Sequence, residues 1–481
     1  MPKTDFEMRG KLPTKEPAYV ERWQNANMYE KVIKQNEGKE HFIFHDGPPY
    51  ANGNMHVGHM LNKVIKDVIC RYKNMEGFYT PYIPGWDTHG LPIENAIQKQ
   101  GVDRKSMSTA KFREKCYAYA LKQVERQMQQ CIRVGTFADY KHPYLTLHKE
   151  FEARQIDVFA KMAVDGLIYK GLKPVYWSPS SESALAEAEV EYHDVKSPTI
   201  YVRFKVKDGK GILEGDDNYF VIWTTTPWTL PSNTALCVGP KIDYVAVQTY
   251  NGYTGEKMTV VLAKPLLYAH FNKKAEELAL EDYKPGDKLI PFKVVGEYKG
   301  TDLEGMQYEQ LIPWVKPVEA TEDGSWKEAA DKAFRVILGD YVTTEDGTGI
   351  VHIAPTFGAD DANVARAAGI PSLFMINKKG ETRPMVDLTG KFYLIEELDD
   401  AFVKECVDVE KYKEYQGRWV KNAYDPQFTV DGKYDEKAAQ AAESLDVYIC
   451  MMMKQNNQAF KIEKHVHNYP CLLYTSPSPR D

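Results

Sequence analysis

At 481 residues the chain is long enough for two or three domains, and its 43% apolar and 27% charged content is that of a folded protein in water. Lys and Arg number 61 against 68 Asp and Glu, so the net charge of −7 excludes a generic polyanion binder while leaving room for local basic patches. Seven scattered cysteines with no Cys-x-x-Cys pair exclude a disulfide framework and a zinc knuckle, and no apolar run reaches the roughly 20 residues that span a bilayer.

The start, "MPKTDFEMRGKLP", lacks a basic region followed by an apolar stretch, so no secretory signal is expected and the protein is placed in the cytoplasm. Residues 1–40 read as a polar, partly helical lead-in. "HFIFHDG" (41–47) then reads as a short buried strand ending in a turn. After Gly58 the apolar positions Leu61, Val64, Ile65, Val68, Ile69 and Tyr72 follow helical spacing, with Lys63, Lys66, Asp67 and Lys73 between them. "FYTPYIPGWD" (78–87) supplies a second strand, broken by prolines. Strand, glycine-rich loop, helix and strand together open an α/β doubly wound sheet. Residues 110–170 are helix-rich, with one long stretch from Ala110 to Arg133.

The texture changes near residue 195. "TIYVRFKV", "YFVIWTTT", "YVAVQTY" and "MTVVLA" are short β-branched and aromatic runs separated by turn residues, and the pattern continues past "GIVHIAP" to about "GKFYLI" (390–395). The expected division is therefore a lead-in (1–40), the first half of a nucleotide-binding domain (41–195), a β-rich insertion (196–430) and a return segment to the first domain (431–470). Charged helical sequence is expected from Leu398 to Lys464. The last eleven residues, "CLLYTSPSPRD" (471–481), break the pattern and resemble a reading frame through sequencing-adapter DNA.

Chemistry concentrates first in "HDGPPYANGNMHVGH" (45–59). A loop entering a helix N-terminus offers free N–H groups and the positive end of the helix dipole, a ready anion site. Gly58 removes a Cβ where a flat ring or phosphate would collide, and His56 and His59, three apart, share a face. Two imidazoles there can donate to charge that grows on a departing pyrophosphate. Surface histidines at a helix start are the bland alternative, and zinc lacks a third ligand nearby.

The quartet "HVGH", preceded by "DGPPYANG" and followed by "GWDTHGLPIE" (85–94), resembles the signature of class I aminoacyl-tRNA synthetases, and of their isoleucyl branch in particular. Val57 replaces the family's isoleucine in the quartet. The resemblance implies a Rossmann-like fold interrupted by an editing domain, with ATP accompanied by Mg2+, isoleucine and its tRNA as substrates or partners, and a monomer. It implies ATP binding by His56, Gly58 and His59, an isoleucine pocket lined by Gly47 and Pro48, and an α-ammonium site at Asp87. A carboxylate is the natural partner of a desolvated ammonium, although Asp87 also fits a turn cap.

A pocket sized for isoleucine cannot strongly reject valine, which lacks one methylene; that pair of amino acids is the standard example of the limit. A second, hydrolytic site is the remedy, and two segments of the insertion are similar to the family's editing domain: "WTTTPWTLPSNTA" (223–235) and "GTGIVHIAPTFGADD" (347–361). The resemblance assigns Thr225 and Thr226 to the ester and attacking water, Asn233 to the same pocket, His352 to the terminal ribose and Asp361 to the ammonium of misattached valine. Threonine runs are also plain strand formers, and His352 fits a core histidine equally well. Where some relatives carry cysteine pairs for zinc, this chain has "YWSPSSESALAEAEVEY" (176–192), and serine is a poor zinc ligand, so no zinc is expected.

Relatives continue into a lysine-bearing loop and an anticodon-reading domain, neither of which is present, so the chain reads as a fragment with weak or absent synthesis. A valyl or leucyl relative, a free-standing deacylase and a catalytically silent tRNA-binding module are the rival readings.

Overall fold

Prolines decide the character of the first sheet. Pro48, Pro49, Pro81 and Pro84 have no N–H to give a ladder. In the computed structural model, which describes residues 10–171, 173–179, 182–215, 217–321, 325–430 and 433–472, the runs 41–51 and 79–87 accordingly meet only at isolated parallel bridges, His41↔Tyr79 and Tyr50↔Asp87. A regular parallel pair forms only between β1 (Gly85–Trp86) and β2 (Tyr144–Leu145). The expected buried strand at 41–47 is thus an extended, half-covered segment, with Ile43 65% exposed.

The chain divides into two units, Met1–Gly171 and Leu172–Asp481. In the first, the described helices are α1 (Leu12–Asn25), α2 (Met28–Gln35), α3 (Val57–Met75), α4 (Leu91–Lys99), α5 (Thr109–Arg133) and α6 (Lys149–Val164). Parallel extended segments alternating with helices make this unit α/β. Its main core gathers Ala51, Trp86, Ile93, Ala120, Val124 and Leu145.

Helix α3 reverses the expectation drawn from its periodicity. Lys63, Lys66, Asp67, Cys70 and Asn74 are its buried residues, while Val57, Leu61, Val64, Ile65, Val68 and Tyr72 are exposed. The polar stripe is inside because it has partners there. Lys63 and Lys66 meet Asp46, Asp67 accepts from the Phe137 N–H and from Arg71, and Asn74 donates towards Val32 and Phe78 carbonyls.

The second unit carries a ten-stranded sheet. Its strands are β3 (Val190–Asp208), β4 (Asn218–Thr224), β5 (Ala235–Val238), β6 (Asp243–Tyr250), β7 (Lys257–Ala263), β8 (Lys293–Lys299), β9 (Gln307–Tyr308), β10 (Arg335–Leu338), β11 (Ile350–Ile353) and β12 (Ala459–Leu472). Their order is β8–β6–β7–β4–β3–β9–β10–β5–β11, with β12 also paired to β3. Pairing is antiparallel except for β4 with β7 and β10 with β5. Ile200, Val202, Phe204, Phe220, Ile222 and Tyr244 are fully buried between its layers, each such side chain contributing about 1.5–3 kcal/mol by leaving water.

Two expected boundaries move. Residues 173–195 belong with the second unit, because Tyr176–Ser178 pairs with Ser183–Leu185, the Trp177 indole donates to the Leu388 carbonyl (2.7 Å) and β3 begins at Val190. The return segment is not helical to its end: after the helix α8 (Leu445–Gln455) the chain enters β12, which pairs with β3 as far as Leu472↔Val190. Of the suspected adapter tail, residues 473–481 lie outside the described residues, as do Ser180 and Ser181 of the serine-bearing stretch.

Candidate active sites

In the first unit, α3 begins with an unusual cap. His56 is extended (φ −102°, ψ 174°), and its Nδ1 accepts from the Gly58 N–H at 3.1 Å. The His56 N–H in turn donates to His59 Nδ1 at 3.3 Å, the reciprocal pattern of a capping box built from two imidazoles. The rings lie 3.8 Å apart between centroids. Because each Nδ1 accepts a backbone N–H, the ring proton of each neutral imidazole must sit on Nε2, which remains as the donor. Burial, then the neighbouring His56 and Lys63, hold the His59 imidazole below its usual pKa and favour this neutral form. A Cβ on Gly58 would meet the His56 ring at 3.0 and 3.1 Å, so a side chain there would press on the capping imidazole.

The loop before this helix is clamped by residues that sequence reasoning missed. Gln127 of α5 is fully buried; its Nε2 donates to the Tyr50 and Gly53 carbonyls, and its Oε1 accepts from the Trp86 indole. One helical turn on, Gln130 accepts from the Met55 N–H and donates to Asn54. Two glutamines three apart on a helix were visible signals, but nothing local named their partners. Asp46 was missed as well. It is 1% exposed and pairs with Lys63 (2.5 Å) and Lys66 (2.7 Å), and it accepts the Gly85 N–H. Burial alone would raise its carboxyl pKa; the two ammonium groups and the amide outweigh that and hold it low.

Gly47 is exposed and Pro48 half-buried beside this anchored aspartate. Asp87 is half-buried, its N–H bonded to the Pro49 carbonyl, with Oδ1 accepting from the His89 N–H (3.2 Å) and the Thr146 hydroxyl (3.5 Å). The structure therefore brings Asp87 to the loop that follows Gly47 and Pro48. A cavity of about 330 Å³ elsewhere in the unit, lined by Trp23, Tyr29, Met128, Ile132 and Phe137 among others, contains none of the expected site residues.

In the second unit the threonine run ends β4 in a tight turn: the Thr226 N–H donates to Thr224 Oγ1 (3.1 Å), and the two hydroxyls lie 3.3 Å apart. A 3-10 turn, Pro227–Ser232, follows. It is pinned by Asp446 of α8, which accepts the Trp228 N–H (3.1 Å) and pairs with Lys421 (2.5 Å). The Thr229 hydroxyl donates to the Thr226 carbonyl (2.9 Å) and lies 3.2 Å from Nε2 of His352, which stands on β11. His352 is 9% exposed, and burial pushes its imidazole down to about 4.

Asp361 sits in the first turn of α7 (Ala359–Ala367), and its Oδ2 accepts the Ala354 N–H just beyond β11 (2.8 Å). Burial raises its carboxyl pKa against the pull of that amide. A Cβ on Gly358 would come within 2.7–3.0 Å of the Asp361 carboxyl, which accounts for the glycine in "TFGADD". Thr225 and Thr226 are half-buried at the turn. Asn233 stands apart: its amide donates to the Ala235 carbonyl, its oxygen accepts from Tyr308, and it is 3% exposed, so both ends are committed to the core. Among the described residues no group of three His, Cys, Asp or Glu is placed to hold a metal ion.

The family model for class I tRNA synthetases of the isoleucine, leucine, methionine and valine type matches residues 18–455. An isoleucine–tRNA ligase of Bacteroides thetaiotaomicron is 59% identical over 461 residues, covering 94% of this chain and 40% of its own. One from Porphyromonas gingivalis is 45% identical over 459 residues, covering 93% and 38%. This chain thus spans about two fifths of the length of the curated relatives it matches. A ternary complex of Agrobacterium radiobacter K84 LeuRS with tRNA and LeuAMS aligns to 96% of this chain and 48% of its own, with a TM-score of 0.33 and 14% identity.

Proposed function

The chain belongs to the class I tRNA synthetases of the isoleucine, leucine, methionine and valine group, and from that premise we propose that the full-length protein is an isoleucine–tRNA ligase that also hydrolyses mischarged valyl-tRNA. The reading is supported by the 59% identity to a relative of that name. The single observation that carries it is chemical: one unit offers two Nε2–H donors at a helix N-terminus, and the other offers a threonine turn bonded to a buried histidine.

In the synthetic reaction the isoleucine carboxylate attacks the α-phosphorus of ATP and pyrophosphate leaves. Nε2–H of His56 and His59, with the positive end of α3, would donate to the charge that grows on the phosphates. Asp87 would bind the α-ammonium, while Gly47 and Pro48 line the side-chain pocket. Mg2+ would accompany ATP and neutralise phosphate charge. In editing, Asp361 would hold the ammonium of valine, Thr225 and Thr226 the ester and the attacking water, and His352 the ribose end. Asn233 is read as scaffold, since it is buried and each end of its amide already has a partner in the core.

The test is isoleucine-dependent ATP–pyrophosphate exchange by the full-length protein. Asp87→Ala and His59→Ala are each expected to lower kcat/KM by roughly a hundredfold or more. Exchange that answers to valine or leucine instead would replace this reading with a valyl or leucyl one. No exchange with any of the three, alongside hydrolysis of valyl-tRNA, would leave a free-standing deacylase.

A further inference from the structure

Charge does not balance beneath the start of α3. Asp46 is buried, and its two oxygens are taken separately, Oδ2 by Lys63 (2.5 Å) and Oδ1 by Lys66 (2.7 Å). Both lysines are buried as well, at 5% and 9% exposure. One carboxylate between two ammonium groups leaves one positive charge inside. Asp67, the next buried carboxylate on the helix, does not cancel it, being paired with Arg71 (2.7 Å) and bonded to the Phe137 N–H. Asp87 is the expected partner of the amino-acid ammonium. Neutrality at Asp46 needs one lysine; the second adds a desolvation cost that the pairing does not return.

The surplus charge has a direction. Helical side chains lean towards the N-terminus, and Lys63 stands four residues after His59 on the same face. After burial and the neighbouring His56, its charge is what holds the His59 imidazole below its usual pKa. Lys66 Nζ lies 4.0 Å from the place a Cβ on Gly47 would occupy. The spare cation thus sits behind both the double-imidazole cap and the loop that leads to it. We propose that Lys63 and Lys66, sharing Asp46, hold one uncompensated positive charge under the N-terminus of α3, and that this charge attracts the polyphosphate of ATP without touching it. The charge is fixed in place, because Asp46 ties down both ammonium groups and is itself held by the Gly85 N–H (3.1 Å). Its field adds to the helix dipole and to the two Nε2–H donors. The inference rests on the synthetic reading of this unit and extends it, since the HVGH signature names neither lysine nor Asp46.

The experiment measures equilibrium binding of ATP and of uncharged adenosine to the full-length protein. Lys63→Met and Lys66→Met each leave Asp46 one ammonium partner and remove the surplus. Either should weaken ATP binding roughly tenfold while adenosine changes by less than about twofold. Adding Asp46→Asn to Lys63→Met leaves Lys66 with no opposing carboxylate and returns the surplus. That double variant should bind ATP within about threefold of the wild type. A role confined to packing predicts the reverse order, with the double variant worse than the single and adenosine weakened as much as ATP. That result, or an unchanged ratio of ATP to adenosine affinity in both lysine variants, overturns the proposal. A wild type that binds ATP no more tightly than adenosine overturns the phosphate-site reading itself, and the proposal with it. Should Lys63→Met not fold, Lys66→Met and its own combination with Asp46→Asn decide.

Discussion

His352 is expected to write its burial into the pH dependence of stability. Its folded pKa lies near 4 against 6.5 for the free side chain. Between those values the unfolded chain binds a proton that the folded chain does not, so stability is complete above about pH 6.5 and is lost as pH falls towards 4, by about 3 kcal/mol. Urea unfolding at pH 7 and pH 4 should show that loss in the second unit, and His352→Gln should remove this part of it. Gly85 makes a second prediction. A Cβ there would fall 2.0–2.4 Å from the Tyr144 ring, whose hydroxyl donates to the Asp46 carbonyl. Gly85→Ala should therefore lower the stability of the first unit by about 1–3 kcal/mol, read from its thermal midpoint. At this scale the residues legible in the sequence were those with unusual chemistry in a short motif, such as His56, His59, Asp87 and Asp361. Asp46, Thr229 and Gln127 were not, because their roles come from partners 17 to 123 residues away.

Helix α3 and the Pro227–Ser232 turn show what an element adds. The spacing of Leu61, Val64, Ile65 and Val68 correctly implied a helix, yet the face it buries is the one with Lys63, Lys66 and Asp67. Periodicity reports a stripe; which stripe goes inside depends on partners, here Asp46 and the Phe137 N–H, that lie outside the window. Leu61→Ser and Val68→Ser should each change the stability of this chain by less than about 0.5 kcal/mol, whereas Asp67→Asn should cost roughly 2 kcal/mol by weakening its bonds to Arg71 and Phe137. Chemical denaturation of the three variants orders them. The turn depends on Asp446 in the same way. Asp446→Ala leaves Lys421 half-enclosed without its partner and frees the Trp228 N–H, so it should destabilise the second unit by about 2–4 kcal/mol and slow hydrolysis of valyl-tRNA by loosening Thr229.

Across the whole chain, the α/β start and the β-rich insertion were readable because hydrophobic period changes from helical to alternating near residue 195. The boundary itself was not, since residues 173–195 and 459–472 are sorted by long-range strand pairing that no local window contains. The strand expected at "HFIFHDG" failed for the same reason in reverse: its residues favour a strand, but the prolines of 48, 49, 81 and 84 leave too few donors for a ladder. The two-segment construction of the second site, in contrast, follows directly from strand order. β11 pairs with β5 in register His352↔Leu236, and the 3-10 turn that carries Thr229 leads into β5. In the proposed function this second unit hydrolyses valine from the isoleucine tRNA. It is tested most directly by incubating the chain with valyl- and isoleucyl-charged isoleucine tRNA in the absence of ATP. Release of valine well above the buffer rate, slower release of isoleucine, and loss of the valine activity in Asp361→Ala are expected. Hydrolysis no faster than buffer by a folded chain, or undiminished hydrolysis in Asp361→Ala, would contradict it.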